Sequence, residues 1–141
     1  MPPANNANVA RHLRLAAQAN PDNCAVRAPQ GRLPNSDIAY LERSFLQLDR
    51  ESDAAAAHFA RAGILPGTRT LLLARPGLDL ILSMFGLLKL GAVPIAIDPG
   101  MGFRTFLRCV RHTQPTALVG TPVALGLTRF FPKTFASVRV R

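Results

Sequence analysis

The sequence is poor in the features that mark disulfide-linked, membrane-spanning and secreted proteins. Its two cysteines, Cys24 and Cys109, lie far apart without C-x-x-C spacing, so neither a disulfide framework nor a cysteine-rich zinc site is expected. The longest stretch without charge or histidine, residues 113–128, is broken by proline and glycine and is shorter than the ~20 apolar residues of a membrane helix. The N-terminus lacks the apolar core of a secretory signal. We therefore expect a cytoplasmic protein without a membrane span.

Acidic residues are missing from the last third of the chain. Among 17 basic and 8 acidic residues, no acid follows Asp98, so residues 1–98 carry a net charge of +2 and residues 99–141 a net charge of +7. Such asymmetry can mark a surface for nucleic acid or another anion. It is equally expected of a chain cut before the acidic part of a larger protein. With 141 residues, 48% of them apolar, the chain has the size of one domain or of a piece of one.

In the second half of the chain, apolar runs of strand length alternate with helical patterns. Strands are predicted at residues 69–74, 92–97, 116–120 and 137–140, and helices at Leu78–Leu90, Phe103–Thr113 and Pro122–Phe130. Continuously apolar strands that alternate with helices indicate a parallel sheet. We therefore predict an α/β fold, a three-layer parallel sheet with helices on both faces. The helix Leu78–Leu90 is apolar nearly all round and is expected to be buried on most of its surface.

The first half of the sequence predicts two further helices, a short strand and a loop. The helices are expected at residues 8–20 and 45–62, the strand at residues 24–28 and the loop at residues 29–37. Ser44 followed by Gln47 three residues later has the form of a capping box, which predicts the start of the second helix. Gly63 stands where a left-handed residue ends such a helix.

The stretch "GMGFRT", residues 100–105, follows a predicted strand and opens a helix. It matches G-x-G but has Thr105 where a dinucleotide site needs a third glycine, and no acid follows for the ribose, so a glycine-rich turn is favoured. Asp98 precedes Pro99 and Gly100, with no second carboxylate or histidine near it in sequence. It is interpreted as a turn residue or helix N-cap rather than a general base or metal ligand.

The other candidate residues are scattered. His12, His58 and His112 form no catalytic arrangement with Ser, Cys or Asp, and Cys109 is interpreted as a small apolar residue facing the core. Three arginines, Arg104, Arg108 and Arg111, share one helical face, which we interpret as a solvated face rather than a nucleic-acid site. The residues alone therefore predict no catalytic, cofactor-binding or metal-binding residue.

Two motifs nevertheless resemble those of a known superfamily. "LLKLGAVPIAIDPG", residues 87–100, is similar to a core motif of the adenylate-forming superfamily, in which a helix ending Leu-Lys-Ala-Gly precedes Ala-x-Val-Pro-x-Asp-Pro. The matching positions are Leu88, Lys89, Gly91, Ala92, Pro94, Asp98 and Pro99. Leu90 replaces the usual alanine, and one extra residue precedes the aspartate.

The second motif, "SFLQLDRESDAAAAHFARAGILPGTRT", resembles the Ser-Tyr-x-Glu-Leu segment, long helix and Gly-Ile turn of the same superfamily. Phe45 replaces the tyrosine and Gln47 the glutamate. "NVARHLRLAAQANPDNCAV" resembles the opening helix and strand, so the resemblance covers about residues 8–125 in the family's order. The "DPGM" corner and "TQPTALVG" are most similar to fatty-acyl-CoA ligase-like members, including β-lactone synthetases of olefin biosynthesis.

This resemblance implies a partial AMP-binding N-terminal domain over residues 1–141, belonging to a ligase that activates a fatty or related carboxylic acid as acyl-adenylate. The resemblance also implies that Asp98 occupies a corner of the scaffold. ATP and magnesium are implied for the full-length family, whose phosphate loop ends Thr-Gly-x-Pro-Lys-Gly. This sequence contains neither that loop nor the later Thr-Glu pair, the ribose-binding Asp or the Lys of the C-terminal domain. No cofactor is therefore expected in this chain, and it is expected to be inactive alone.

Two alternatives remain open at this point. One is a non-catalytic binding or interaction module that reuses the sheet, and the other is a weak basic nucleic-acid binder without sequence selectivity. The sequence itself fixes neither the acyl substrate and its acceptor nor the oligomeric state.

Overall fold

The computed structural model describes residues 8–141, which form five helices and five strands. In chain order they are α1 (Ala10–Ala19), β1 (Cys24–Arg32), β2 (Ile38–Ser44), α2 (Phe45–Arg61), β3 (Arg69–Leu73), α3 (Leu78–Leu90), β4 (Val93–Ala96), α4 (Phe103–Thr113), β5 (Ala117–Gly120) and α5 (Pro122–Phe130). A short 3-10 turn, Pro99–Met101, precedes α4. The helix bounds in the second half are those that the sequence predicts, and each strand there is one or two residues shorter than expected.

Three strands form the predicted parallel sheet, in the order β4-β3-β5. β3 is central: Leu71 lies opposite Ile95 of β4 on one side and Leu118 of β5 on the other, and both pairings are parallel. Each crossover through a helix brings the chain back to the end of the sheet where the previous strand began, so the strands run parallel, with β4 on one side of β3 and β5 on the other. The α/β prediction with a parallel sheet is confirmed.

Both faces of the sheet are covered by apolar cores, which confirms the three-layer arrangement. On one face, Leu71 and Leu118 pack with Phe106 and Val110 of α4 and with Phe135. On the other face, Ala117 packs with Phe59 of α2 and Leu87 of α3. Ile64 and Ala92, which follow the glycines at the ends of these two helices, belong to the same core. Neighbouring residues Ala117 and Leu118 thus enter opposite cores, as the alternation of side chains along a strand requires.

The prediction of a loop over residues 29–37 is wrong, because β1 extends into this segment, and β2 was not predicted. β1 continues to Arg32 and pairs antiparallel with β2, leaving only residues 33–37 as the connection. The register shifts between Pro29 and Gly31, where an irregularity accommodates both residues within the strand. Most of the hairpin is exposed, so it lacks the apolar alternation from which a strand is predicted.

Residues 137–140, predicted as a possible strand, form only a single parallel bridge. Leu118 N–H donates to the Val140 carbonyl at 2.9 Å, and Arg139 N–H donates to the Thr116 carbonyl at 2.8 Å. Val138 is buried in the sheet core. The segment is therefore anchored by its side chains, and a bridge rather than a ladder covers the outer edge of β5.

α3 is less buried than its composition predicts. Only Gly86 and Leu87 are fully buried, and its remaining apolar residues are mostly half-buried. Its contacts come chiefly from α2, with smaller ones from α1, β1, β3 and β4, and these leave part of its circumference uncovered. Although α3 is strongly apolar, no helix within residues 8–141 has both the length and the hydropathy to cross a bilayer.

α2 and α3 end in the same way, and their ends are hydrogen-bonded to each other. After α2, Gly63 has a φ of 95°, and Ile64 N–H donates back to the Phe59 carbonyl at 3.0 Å. After α3, Gly91 has a φ of 79°, and Ala92 N–H donates to the Leu87 carbonyl at 3.0 Å. Each ending places an apolar residue in the core directly after the helix.

The ends of these two helices meet through the turns that follow them. Gly67 N–H donates to the Gly91 carbonyl at 2.8 Å, and Val93 N–H donates to the Thr68 carbonyl at 2.9 Å. The bonds lie immediately before the pairing of Arg69 with Val93, so they fix the register with which β3 and β4 begin.

α3 crosses α2 at very short range because Gly86 has no side chain. A Cβ at this position would lie 2.9 Å from Ala55 Cβ and 3.2 Å from both the Ala56 nitrogen and Phe59 Cε2. One turn further along, Lys89 Nζ donates to Asp49 Oδ1 at 2.6 Å, to the Asp49 carbonyl at 2.7 Å and to Asp53 Oδ1 at 2.8 Å. The Lys89 side chain is only 9% exposed, and all three of its N–H donors are used.

The close crossing predicts that Gly86→Ala destabilises the protein. Glycine to alanine in a helix normally stabilises by roughly 0.5–1 kcal/mol, but here the methyl group would press on the backbone of α2. We expect a net loss of about 1–3 kcal/mol in the free energy of unfolding, measured by urea denaturation. Gly126→Ala in α5 is the control, because no atom lies within 4 Å of its added Cβ. Equal stability of the two variants would show that the crossing is loose.

The buried ion pair predicts that Lys89→Met destabilises much more than Lys133→Met. Removal of the ammonium group leaves the Asp49 carboxylate, whose side chain is 13% exposed, without its partner. We expect a loss of about 1–3 kcal/mol. Lys133 is exposed and has no ion pair within the described chain, so its change is expected to stay within about 0.5 kcal/mol. Chemical denaturation of both variants, of Asp49→Asn and of Lys89→Met/Asp49→Asn measures the coupling between Lys89 and Asp49. A loss in the double variant equal to the sum of the two single losses would contradict it.

Candidate functional site

The sheet topology places a crevice at the carboxyl ends of β3 and β5. After β3 the chain enters α3, and Leu87 of α3 belongs to the core on one face of the sheet. After β5 the chain enters α5, and Leu125 of α5 packs against the core on the other face. The two adjacent strands therefore send their continuations to opposite faces of the sheet. In open parallel sheets this change of direction is where ligands usually bind.

A cleft of about 390 Å³ lies at this position. The end of β3 and the following turn, the end of β4, the start of α4 and the start of α5 form its walls. The lining residues are Leu72, Leu73, Ala74, Arg75, Pro76, Ile97, Phe103, Phe106, Thr121, Val123, Ala124 and Leu127. Gly120 keeps the two strands close at the base of the cleft, since a Cβ there would lie 2.9 Å from the Leu73 carbonyl oxygen.

The chemistry of the cleft suits binding of an apolar group rather than catalysis. No carboxylate, histidine or cysteine lines it. The Thr121 hydroxyl caps the N-terminus of α5, where its oxygen accepts a hydrogen bond from Ala124 N–H at 3.3 Å. Arg75 is exposed and is the only charged residue in the lining. It offers a cation to an anionic ligand but no general acid or base near neutral pH.

A second depression, between α1, α2 and α3, contains charges that are paired with one another. It has a volume of about 380 Å³ and is lined in part by Asp53, Lys89 and Arg14. Asp53 accepts from Lys89 at 2.8 Å and lies 3.4 Å from Arg14. These pairs bind the helices together, and the buried Asp49–Lys89 contact beside them was not predicted from the sequence. Its only signal is a single lysine in an apolar helix and two aspartates four residues apart in another.

Asp98 is a corner residue, as the sequence predicts. Its carboxylate accepts a hydrogen bond from Gly100 N–H at 2.8 Å and caps the 3-10 turn Pro99–Met101. The side chain is exposed and does not line the cleft. The stretch "GMGFRT" forms this turn and the start of α4, and Gly102 has a φ of 86°, so the segment is the predicted glycine-rich turn.

The structure does not bring the remaining candidate residues together. His12, His58 and His112 are exposed, each on a different helix, and Cys109 is half-buried with its sulfur 3.8 Å from the Met101 sulfur. No group of three or more His, Cys, Asp or Glu side chains within residues 8–141 is arranged to hold a metal ion.

The arginine face of α4 is solvated, as predicted. Arg104, Arg108 and Arg111 are exposed, and none forms an ion pair with another described residue. The core side of the same helix carries Phe106 and Val110, so the arginines project away from the sheet.

The corner interpretation of Asp98 predicts different outcomes for two substitutions. Asp98→Asn keeps an oxygen that can accept from Gly100 N–H, so we expect a change in unfolding free energy within about 0.5 kcal/mol. Asp98→Ala removes the acceptor and is expected to cost about 1 kcal/mol. Thermal or urea denaturation distinguishes the two. If both variants lose the same stability, the negative charge matters and the corner interpretation is wrong.

Comparisons with known proteins agree with the fold and the motifs. Residues 13–137 match the AMP-binding enzyme family. Olefin beta-lactone synthetase of Xanthomonas campestris pv. campestris is 42% identical over 118 residues, covering 83% of this chain and 21% of that protein. The protein of the same name from Stenotrophomonas maltophilia is 40% identical over 119 residues, covering 83% of this chain and 22% of that protein.

Structural similarity points to the same family. The crystal structure of fatty acid AMP ligase from Legionella pneumophila superposes with a TM-score of 0.63 and 27% identity, over 84% of this chain and 20% of that one. The chain thus spans about a fifth of the length of these relatives. Together, the family match over residues 13–137, the relatives and the shared fold show that the chain belongs to the AMP-binding family of adenylate-forming enzymes.

Proposed function

We propose that this chain is the N-terminal part of an ATP-dependent acid ligase that activates a fatty or related carboxylic acid as its acyl-adenylate. The observation that carries the proposal is the 42% identity to an olefin beta-lactone synthetase over 83% of the chain. Similarity to a fatty acid AMP ligase at 27% identity supports the same class of substrate and the same activated product.

In this proposal, the residues described here contribute scaffold and shape rather than chemistry. Formation of an acyl-adenylate requires that the carboxylate attack the α-phosphorus of ATP while pyrophosphate leaves, with donors and a metal stabilising the charge that develops. The cleft is lined mainly by apolar residues, and residues 8–141 contain no cluster of ligands for a metal. These residues do not fit ATP and magnesium, so we propose that the chain alone neither binds ATP tightly nor forms acyl-adenylate.

The proposal includes a cytoplasmic location and a role in fatty acid metabolism. Cys24 is exposed and Cys109 half-buried, and both are free thiols, which is usual for a reducing compartment. The alternative of a binding module without catalysis is favoured by one observation, the apolar cleft with a single cation at its rim. Exchange kinetics separate the two functions.

We predict that the purified chain gives no fatty-acid-dependent ATP–pyrophosphate exchange above a blank without protein. The physical reason is that residues 8–141 contain no group that would align and neutralise the triphosphate. Exchange that exceeds the blank and disappears on substitution within this chain would contradict the prediction.

A chimera tests the positive part of the proposal. The corresponding segment of the Xanthomonas campestris enzyme is replaced by this chain, and the unaltered enzyme serves as the control. We expect the chimera to retain exchange with fatty acids. A chimera that is soluble, unfolds cooperatively and yet lacks exchange would refute the proposed function in favour of the binding module.

A further inference from the structure

The part of the chain after β4 carries an unneutralised positive charge on its surface. Residues 99–141 contain seven basic and no acidic residues. All seven are exposed, and none forms an ion pair within the part of the chain that the structure describes; they are Arg104, Arg108, Arg111, Arg129, Lys133, Arg139 and Arg141. By contrast, Arg14, Arg27, Arg43 and Lys89, which precede this segment, each form an ion pair with an aspartate or glutamate. Salt or an anionic partner would reduce the repulsion among these cations.

The same segment exposes large apolar side chains. Phe130 is 80% exposed and Val123 is 77% exposed, the two highest values among the large apolar residues described, and Phe103 is 49% exposed. Val123 and Phe130 are seven residues apart in α5, a spacing that places them on one side of the helix. Single exposed apolar residues are ordinary, but two that are aligned on one helix form an apolar strip that a partner can cover.

The apolar and basic residues lie on neighbouring elements. Phe103 begins α4 and its ring meets Phe131, directly after Phe130, edge to face at 5.1 Å between centroids. Phe103 and Val123 both border the apolar cleft. Phe103 itself lies toward the core side of α4, where its ring stacks on Phe106. The arginine face begins at the next residue and extends from Arg104 through Arg108 to Arg111, about 10 Å along the helix axis.

We propose that α4 and residues 122–133 form a docking surface for an anionic lipid bilayer, with the arginines at the headgroups and Phe103, Val123 and Phe130 inserted among the upper acyl chains. Charge complementarity selects an anionic partner, and basic faces flanked by aromatic and aliphatic side chains are typical of peripheral membrane binding. A nucleic acid would satisfy the arginines but would leave Val123 and Phe130 in water. A second copy of the chain would cover the apolar residues but would oppose like charges. This surface goes beyond the proposed function and does not depend on it.

The proposed orientation on the bilayer would let apolar molecules enter the cleft from the membrane. Phe103 and Val123 stand at its edge, so a chain bound through this surface has the cleft opening at the boundary between headgroups and acyl chains. Apolar molecules dissolved in the bilayer would then reach the cleft without crossing water, a path that suits its apolar lining.

The proposal predicts flotation of the 141-residue chain with vesicles of phosphatidylcholine and phosphatidylglycerol but not with phosphatidylcholine alone. Flotation is used because aggregated protein sinks. Each arginine near an anionic surface is worth about 1 kcal/mol, or roughly a fivefold change in partitioning. We therefore expect the triple variant R104Q/R108Q/R111Q to bind on the order of a hundredfold more weakly. The control R50Q/R61Q/R69Q removes three exposed charges elsewhere and is expected to bind nearly as well as the unaltered chain.

A second pair of variants tests the apolar contribution. V123S/F130S is expected to weaken vesicle binding at least tenfold, whereas Tyr40→Ser, at a residue 52% exposed in the β1–β2 hairpin, is expected to have no effect. Far-ultraviolet circular dichroism of each variant shows whether the fold is retained. Binding of a fluorescent DNA duplex, measured by anisotropy, is expected to fall with the arginine variant and to be unchanged by V123S/F130S.

Three outcomes would overturn the proposal. Equal loss with the two arginine variants would show that only net charge matters. Folded V123S/F130S that floats as well as the unaltered chain would show that no side chain inserts, which leaves a nucleic acid or another soluble polyanion as the partner. A concentration-dependent dimer that is lost in V123S/F130S would assign the surface to a second copy.

Discussion

The crossing of α2 and α3 is the contact on which the rest of the fold depends. α3 connects β3 to β4, so its placement decides where β4 meets the sheet. At the crossing, Gly86 allows backbone-level approach, and Lys89 one turn later binds Asp49 and Asp53 of α2. If Gly86 were present without the ion pair of Lys89, the helices could approach closely but α3 could still rotate about its own axis. If the ion pair were present without the close approach, water would reach the Lys89 ammonium group. The two together set both distance and rotation, which is the use of a buried ion pair best supported in other proteins.

The crossing also explains why the helices end as they do. Gly63 and Gly91 both take positive φ, and the turns after them are joined by the hydrogen bonds of Gly67 with Gly91 and of Val93 with Thr68. These bonds hold the starts of β3 and β4 side by side, next to their first paired residues, Arg69 and Val93. Within the family motif, Lys89 and Gly91 act on this one structural task, since the first holds α3 to α2 and the second turns the chain back into the sheet. The aspartate that follows the motif's strand completes a turn and takes no part in the cleft.

The residues that the structure describes form surfaces and an apolar cleft, and no cluster of metal ligands is found among them. The strands direct their continuations to opposite faces and thereby open an apolar cleft, and the acids of the chain are used within the first 98 residues, where most form ion pairs or hydrogen bonds. The segment after Asp98 keeps its cations free and its aromatic residues partly exposed. A division of this kind suits a piece that supplies a frame, a binding cleft and a docking face to chemistry performed by other residues, as the proposed ligase requires.

The sequence by itself determined the elements of the second half, because α3, α4 and α5 and the strands between them carry strong local signals. Continuous apolar runs and Gly91 after α3 act within a few residues of where they stand in the chain. The family motifs likewise depend on order along the chain and were visible in the sequence alone.

Only the tertiary structure decided the β1–β2 hairpin, whose exposed strands are held by cross-strand hydrogen bonds that outweigh the turn signals of Pro29 and Gly31. The same holds for the pairing of Lys89 with Asp49, forty residues away, and for the cleft between the ends of β3 and β5. These features depend on which distant segments become neighbours, and a local pattern of residues does not contain that information.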